Sequence, residues 1–190
     1  MVEKVIFDNG FFEFIHSEEE FIIDGKTKSI KRNMVRRPPG IRALIVDKEK
    51  RKILFSREFR YELNDWDLRL PGGKVFDSLE DYKISLEKGD VLEHVEMTVP
   101  KEVHEEIGLV VRNPKLIKVS KDGAGVIWDL YYYEITDYEV SKDDPQLEED
   151  EVIQGYVWKS YDEVIDLCNQ NLIHEDRTVG VLLTYILANK

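Results

Sequence analysis

A change of rhythm constrains this chain more than any other feature. From Phe11 to Leu70 the apolar residues come in short β-type runs, FFEFI, FIID, SIKRNMV, IRALIVD, KILFSREF and DWDLRL, separated by charged or Gly/Pro punctuation. Such runs predict strands. From Val91 the period lengthens: Val91, Val95, Val99, Val103 and Ile107 recur every four residues, a stripe that fits one apolar face of a helix. Pro100 falls inside this stripe, where it removes a backbone donor and crowds the preceding turn. Either the helix kinks there or a new one starts near Thr98, which can cap; Gly108 supplies a stop. A shorter helix is expected near Leu79 to Glu87, and further strands at Lys115 to Val119, Val126 to Ile135 and Val152 to Trp158. Two helices, about Tyr161 to Asn169 and Arg177 to Ala188, close the chain. Strands and helices in this order predict an α+β or α/β fold.

With 190 residues and 42% hydrophobic content the chain is sized for one packed core, and no repeat or low-complexity linker divides it. A formal charge of −12 argues against a broad nucleic-acid footprint, which rests on Lys and Arg neutralising phosphates. It leaves room for a small phosphorylated substrate, because carboxylates can hold cations that carry positive charge to phosphate. The longest apolar stretch, Val179 to Ala188, is ten residues broken by Gly180 and Thr184, whereas a bilayer needs about 20, so no membrane span is expected. The first residues lack the pattern of a secretory signal, and the lone Cys168 has no partner for a disulfide or a zinc site. The cytoplasm is the expected compartment, with Cys168 a buried thiol. Lys26, Lys28, Lys31, Arg32, Arg36 and Arg37 form either an anion-binding edge or solvated, edge-protecting strand faces.

Chemistry concentrates in Lys101-Glu-Val-His-Glu-Glu-Ile-Gly-Leu109. On a helix Glu102, Glu105 and Glu106 stand at i, i+3 and i+4 and project from one face, while Val103 and Ile107 point to the core. Three carboxylates so close repel one another unless a cation gathers them, and magnesium or manganese prefers such oxygen ligands. The other reading of the spacing alone is a solvated acidic face.

The segment resembles the end of the Nudix box, G-x5-E-x7-R-E-U-x-E-E-x-G-U with U aliphatic, and departs from it at Lys101, which stands for the arginine. Glu93 lies eight residues before Lys101, as the box requires, but reaching it from Gly73 takes fourteen extra residues. An insertion at about residues 74–92 is therefore expected. The flanks, VRRPPGIRALIVDKEKRKILFSREFRYELNDWDLRLPGGKV before the box and EEDEVIQGYVWKSYDEVIDLCNQNLIHEDRTVGVLLTYIL after it, are similar to the ADP-ribose pyrophosphatase branch of that family.

This resemblance implies a Nudix-type α/β/α sandwich with a mixed sheet over residues 37–190, preceded by N-terminal antiparallel strands, 1–36, that build a homodimer. It implies hydrolysis of the pyrophosphate of ADP-ribose or a similar nucleoside diphosphate sugar with Mg2+ (or Mn2+). Gly72, through its carbonyl, and Glu102, Glu105 and Glu106 would hold the metal; Arg57, Arg60 and Gly73 would contact substrate. Glu93 would be a supporting carboxylate or a plain surface residue, and His104 is expected at the surface. The general base would come from the acidic loop, from Glu148, Glu149 or Glu151, with Glu149 preferred. Ser120-Lys-Asp-Gly123 replaces the S-P-G loop usual in the branch, which leaves the substrate within it open. The alternatives are a Nudix-fold module that binds a nucleotide without cutting it, and an enzyme for another nucleoside diphosphate derivative.

Overall fold

The computed structural model describes residues 2–123, 125–143, 145–147 and 151–189. Strands β1 (Val2–Asp8), β2 (Glu13–Ile23) and β3 (Lys26–Arg36) form an antiparallel meander. The two apolar runs FFEFI and FIID merge into the single strand β2, because β3 pairs along its whole length. Next come β4 (Gly40–Asp47), β5 (Lys52–Arg60) and β6 (Asp65–Arg69), then helices α1 (Leu79–Lys88) and α2 (Val91–Ile107). Short β7 (Leu109–Arg112) is followed by β8 (Lys115–Lys121), β9 (Val126–Ile127), β10 (Asp129–Ile135), β11 (Asp137–Val140) and β12 (Ile153–Ser160). Helices α3 (Tyr161–Asn169) and α4 (Asp176–Ala188) end the chain.

The central sheet runs β12-β5-β4-β10-β8, with β6 on β5, and is mixed because β4 and β10 are parallel. Alternation along β4 decides its packing. Ile41, Ala43 and Ile45 face Val95, Val99 and Val103 of α2. Leu44 and Val46 face Val164, Leu182 and Ile186 of α3 and α4. One sheet thus carries helices on both sides. The segment expected as one strand from Val126 to Ile135 is split: β9 joins β3 in parallel, while β10 enters the central sheet. Trp128, between them, sits at the junction of the two sheets.

Helix α2 runs unbroken through Pro100. Thr98 does not begin a new helix; its hydroxyl donates to the His94 carbonyl at 2.8 Å. Gly108, at φ 69°, closes the helix in the left-handed conformation. Helix α1 is capped by Ser78, whose hydroxyl accepts from the Asp81 amide at 3.0 Å. It ties the N-terminal sheet to the rest, since Leu79 N–H donates to the Gly10 carbonyl at 2.7 Å and Lys83 pairs with the fully buried Glu13 at 2.5 Å.

Candidate active site

Three elements meet at a cleft of about 520 Å³: the Pro71–Gly73 turn after β6, the acidic face of α2, and the end of β5. The turn is stitched to β4, with Ile41 N–H donating to the Gly73 carbonyl at 2.9 Å and Ala43 N–H to the Pro71 carbonyl at 2.7 Å. Both glycines are required there. Gly72 holds φ at 148°, and a Cβ on it would collide with the Ile41 carbonyl; a Cβ on Gly73 would collide with the Glu102 carboxylate.

The acidic face is divided. Glu102 and Glu106 line the cleft together with Glu151, whereas Glu105 is half exposed and pairs with Lys101 at 3.4 Å. Glu106 is 6% exposed and accepts the Gly72 amide at 3.0 Å. Its carboxyl is pushed well above the ordinary range, by burial first and then by the charge of Glu151; the Gly72 amide and Arg42 oppose this, and Glu102 adds to it. The Tyr156 hydroxyl donates to the Glu106 carbonyl and so fastens the end of α2 to β12.

Behind the glutamates lies a paired network. Arg42, the one cation in strand β4, meets Glu175 at the start of α4 through two hydrogen bonds of 3.1 and 3.0 Å. It also donates to the Ile41 carbonyl at 3.0 Å and to the Gly72 carbonyl at 3.4 Å. Arg69 also binds Glu175, at 3.0 Å, and Asp67 at 3.2 Å; Asp67 in turn meets His174 at 3.0 Å. Burial alone would raise the Glu175 carboxyl, but Arg42, by charge and hydrogen bond, and then Arg69 hold it down at about 2.

The remaining expected residues are placed as follows. Arg60 lines the cleft and pairs with Glu58 at 2.6 Å and Glu62 at 2.9 Å. Arg57 points elsewhere, over the Trp66 ring at 5.5 Å. Glu93 is exposed and is not part of the cleft wall. His104 is half-buried, with a buried Nδ1 that has no hydrogen-bond partner among the described residues, rather than the surface residue expected. Glu148 and Glu149 lie outside the described residues. Of the basic run, Lys26, Lys28, Lys31 and Arg32 are solvated, Arg36 pairs with Glu3 and Glu13, and Arg37 enters the cleft. Arg42, Arg69 and Glu175 escaped the sequence reading. The available signal was the arginine inside the apolar stretch of IRALIVD; Arg69, in DWDLRL beside Asp65 and Asp67, gave none.

Among the described residues no three His, Cys, Asp or Glu side chains already stand together as a metal cage. The donors at the cleft nevertheless suit a hard cation: two carboxylates on one helix face, a third across from them, a main-chain carbonyl beside them, and a buried Glu106 whose ionised form lacks sufficient positive charge.

A family model described as "NUDIX domain" matches residues 36–178. No curated protein matches the chain. A solved structure described as "Crystal structure of ADP compounds hydrolase" superposes with a TM-score of 0.68 at 15% identity, covering 99% of this chain and 90% of that one. The fold is therefore the mixed-sheet α+β architecture of that structure. No helix among the described residues is long and apolar enough to cross a membrane.

Proposed function

The chain belongs to the NUDIX family of pyrophosphohydrolases, and from that premise we propose that it hydrolyses the pyrophosphate bond of ADP-ribose or a similar nucleoside diphosphate sugar. The products are a nucleoside monophosphate and a sugar phosphate. One observation carries the reading: the buried Glu106, held by the Gly72 amide, shares a cleft of about 520 Å³ with Glu102 and Glu151. That the similar solved structure is described as an ADP compounds hydrolase also supports it.

Members of the family generally use divalent metal ions, and Glu102, Glu106 and the Gly72 carbonyl, with Glu105 drawn in from Lys101, would hold Mg2+ or Mn2+ here. Such an ion, when bound, neutralises the phosphoryl oxygens and acidifies the attacking water. The chain's own groups do the rest. Glu151, or Glu149 from the same loop, accepts the proton of the water that attacks one phosphorus in line. Arg60 orients the diphosphate, and Gly73, lacking a side chain, lets it approach α2. Arg42 and Glu175 keep the Gly72 carbonyl in position. A non-cutting nucleotide-binding module is the second reading, favoured by the turn of Glu105 toward Lys101. Incubation with Mg2+ and ADP-ribose separates the two: AMP and ribose 5-phosphate accumulate if the chain is a hydrolase and are absent if it only binds.

The proposed assembly is a homodimer built on the N-terminal sheet and working in the cytoplasm. All seven residues of β1 are exposed, Val2, Ile6 and Phe7 among them, and such an edge invites pairing. A monomeric mass by light scattering would contradict the dimer.

A further inference from the structure

The cleft has a second wall that the glutamates do not explain. Arg37, just past β3, lines it, and its guanidinium lies 4.2 Å from the centre of the Trp128 ring, which lines it too. Arg177, in the first turn of α4, rests on the same indole at 4.1 Å. Phe11 and Phe12 flank Arg37 at 5.2 and 5.3 Å. Aromatic faces therefore hold this guanidinium flat and spare it much of the ordering cost of binding.

Charge is what the wall has in excess. Arg42 is neutralised by Glu175, but neither Arg37 nor Arg177 forms an ion pair with a described carboxylate. Arg37 Nε, Trp128 Nε1 and Arg177 Nη2 are all buried N–H donors without a hydrogen-bond partner among the described residues. Burial, and then the charges of Arg42 and Arg177, push the Arg37 guanidinium down to about 10. Donors in this condition are costly unless an acceptor arrives. The two cations sit differently: Arg42 reaches the Gly72 carbonyl, on the residue whose amide holds Glu106, at 3.4 Å, whereas Arg37 is seated on Trp128, Phe11 and Phe12.

We infer that Arg37, seated on Trp128, is a subsite for a phosphate group that the substrate carries outside its scissile diphosphate. This rests on the hydrolase reading above and narrows its substrate class. A phosphate monoester suits the place, since its dianion offsets two neighbouring guanidiniums and its oxygens match the planar fork of arginine.

The test compares kcat/KM, with Mg2+, for ADP-ribose and for two derivatives bearing an added phosphate monoester, on the adenosine ribose or on the distal ribose. The wild type favours one derivative by about tenfold or more, as expected of one charge-assisted contact. Arg37→Gln removes that preference and Arg37→Lys, which keeps charge without the fork, restores part of it. No preference for either derivative in the wild type, or equal loss on all three compounds in Arg37→Gln, overturns the inference; equal loss would show Arg37 gripping the scissile diphosphate itself. Should the wild type cleave none of them, the hydrolase reading fails and the subsite is read by binding alone. Inorganic phosphate is then titrated into protein carrying Trp66→Phe and Trp158→Phe, so that only Trp128 fluoresces. A saturable change that is lost or weakened in Arg37→Lys supports the subsite, and a flat titration overturns it.

Discussion

Glu106, in the cleft wall, and Glu175, behind it, are the same residue type and are both largely withdrawn from water, yet their carboxyls move in opposite directions. Glu106 is pushed up, by burial and by the facing charges of Glu151 and Glu102. Glu175 is held at about 2 because two arginines close on it. Burial raises both, so it is the partner that decides the charge state. The comparison separates two uses of a buried acid. Around Glu175 the protein has completed its own ion network, which is scaffold. Around Glu106 like charges face one another, and its carboxyl is raised where that of Glu175 is lowered.

Each side of this contrast can be broken. Glu106→Gln has the largest expected effect: turnover of ADP-ribose falls about a thousandfold or more, several kcal/mol of lost transition-state stabilisation, while the melting temperature holds or rises because repulsion is relieved. An unchanged rate in a product assay would place the chemistry elsewhere.

Glu175→Gln should instead act on stability, lowering the unfolding free energy in urea by on the order of 3 kcal/mol as two buried arginines lose their partner. The same residue sets an acid limb. Its folded value, about 2, lies below the ordinary 4.5, so its stabilisation is fully present above pH 4.5 and is lost as pH falls toward 2. Melts across that window should be flatter in the variant than in the wild type.

Gly73→Ala should push Glu102 out of place and cut turnover by about tenfold to a hundredfold, the scale of a disturbed supporting contact at a metal site, with a melting temperature close to wild type. Lys101→Arg is the smallest change. An exposed pair such as Lys101–Glu105 is worth at most about 1 kcal/mol, so kinetics should move by no more than roughly fivefold. A larger response would mean that this pair governs whether Glu105 joins the acidic wall.

Most helices and their ends were legible in the sequence, because caps and periodicity are local. The Val91 to Ile107 stripe and the left-handed stop at Gly108 both follow from residues within a turn of each other. Strand partners were less legible. β1 shows no buried face to betray it. The run from Val126 to Ile135 reads as one strand, and only pairing to two different sheets divides it at Trp128.

The amino-acid order alone determined that three carboxylates stand near one helix end, and that a glycine turn precedes them. It could not say which of them share a pocket. That depends on bonds spanning great sequence distances, 34 positions from Gly72 to Glu106 and 133 from Arg42 to Glu175. Glu105, by helical spacing a full member of the set, is turned to Lys101 because that cation is one turn away and solvent is open to both. Local pattern sets where side chains can point, whereas charge state and company are fixed by whatever the folded chain brings alongside, since Coulombic and desolvation energies depend on distance in space and not along the backbone.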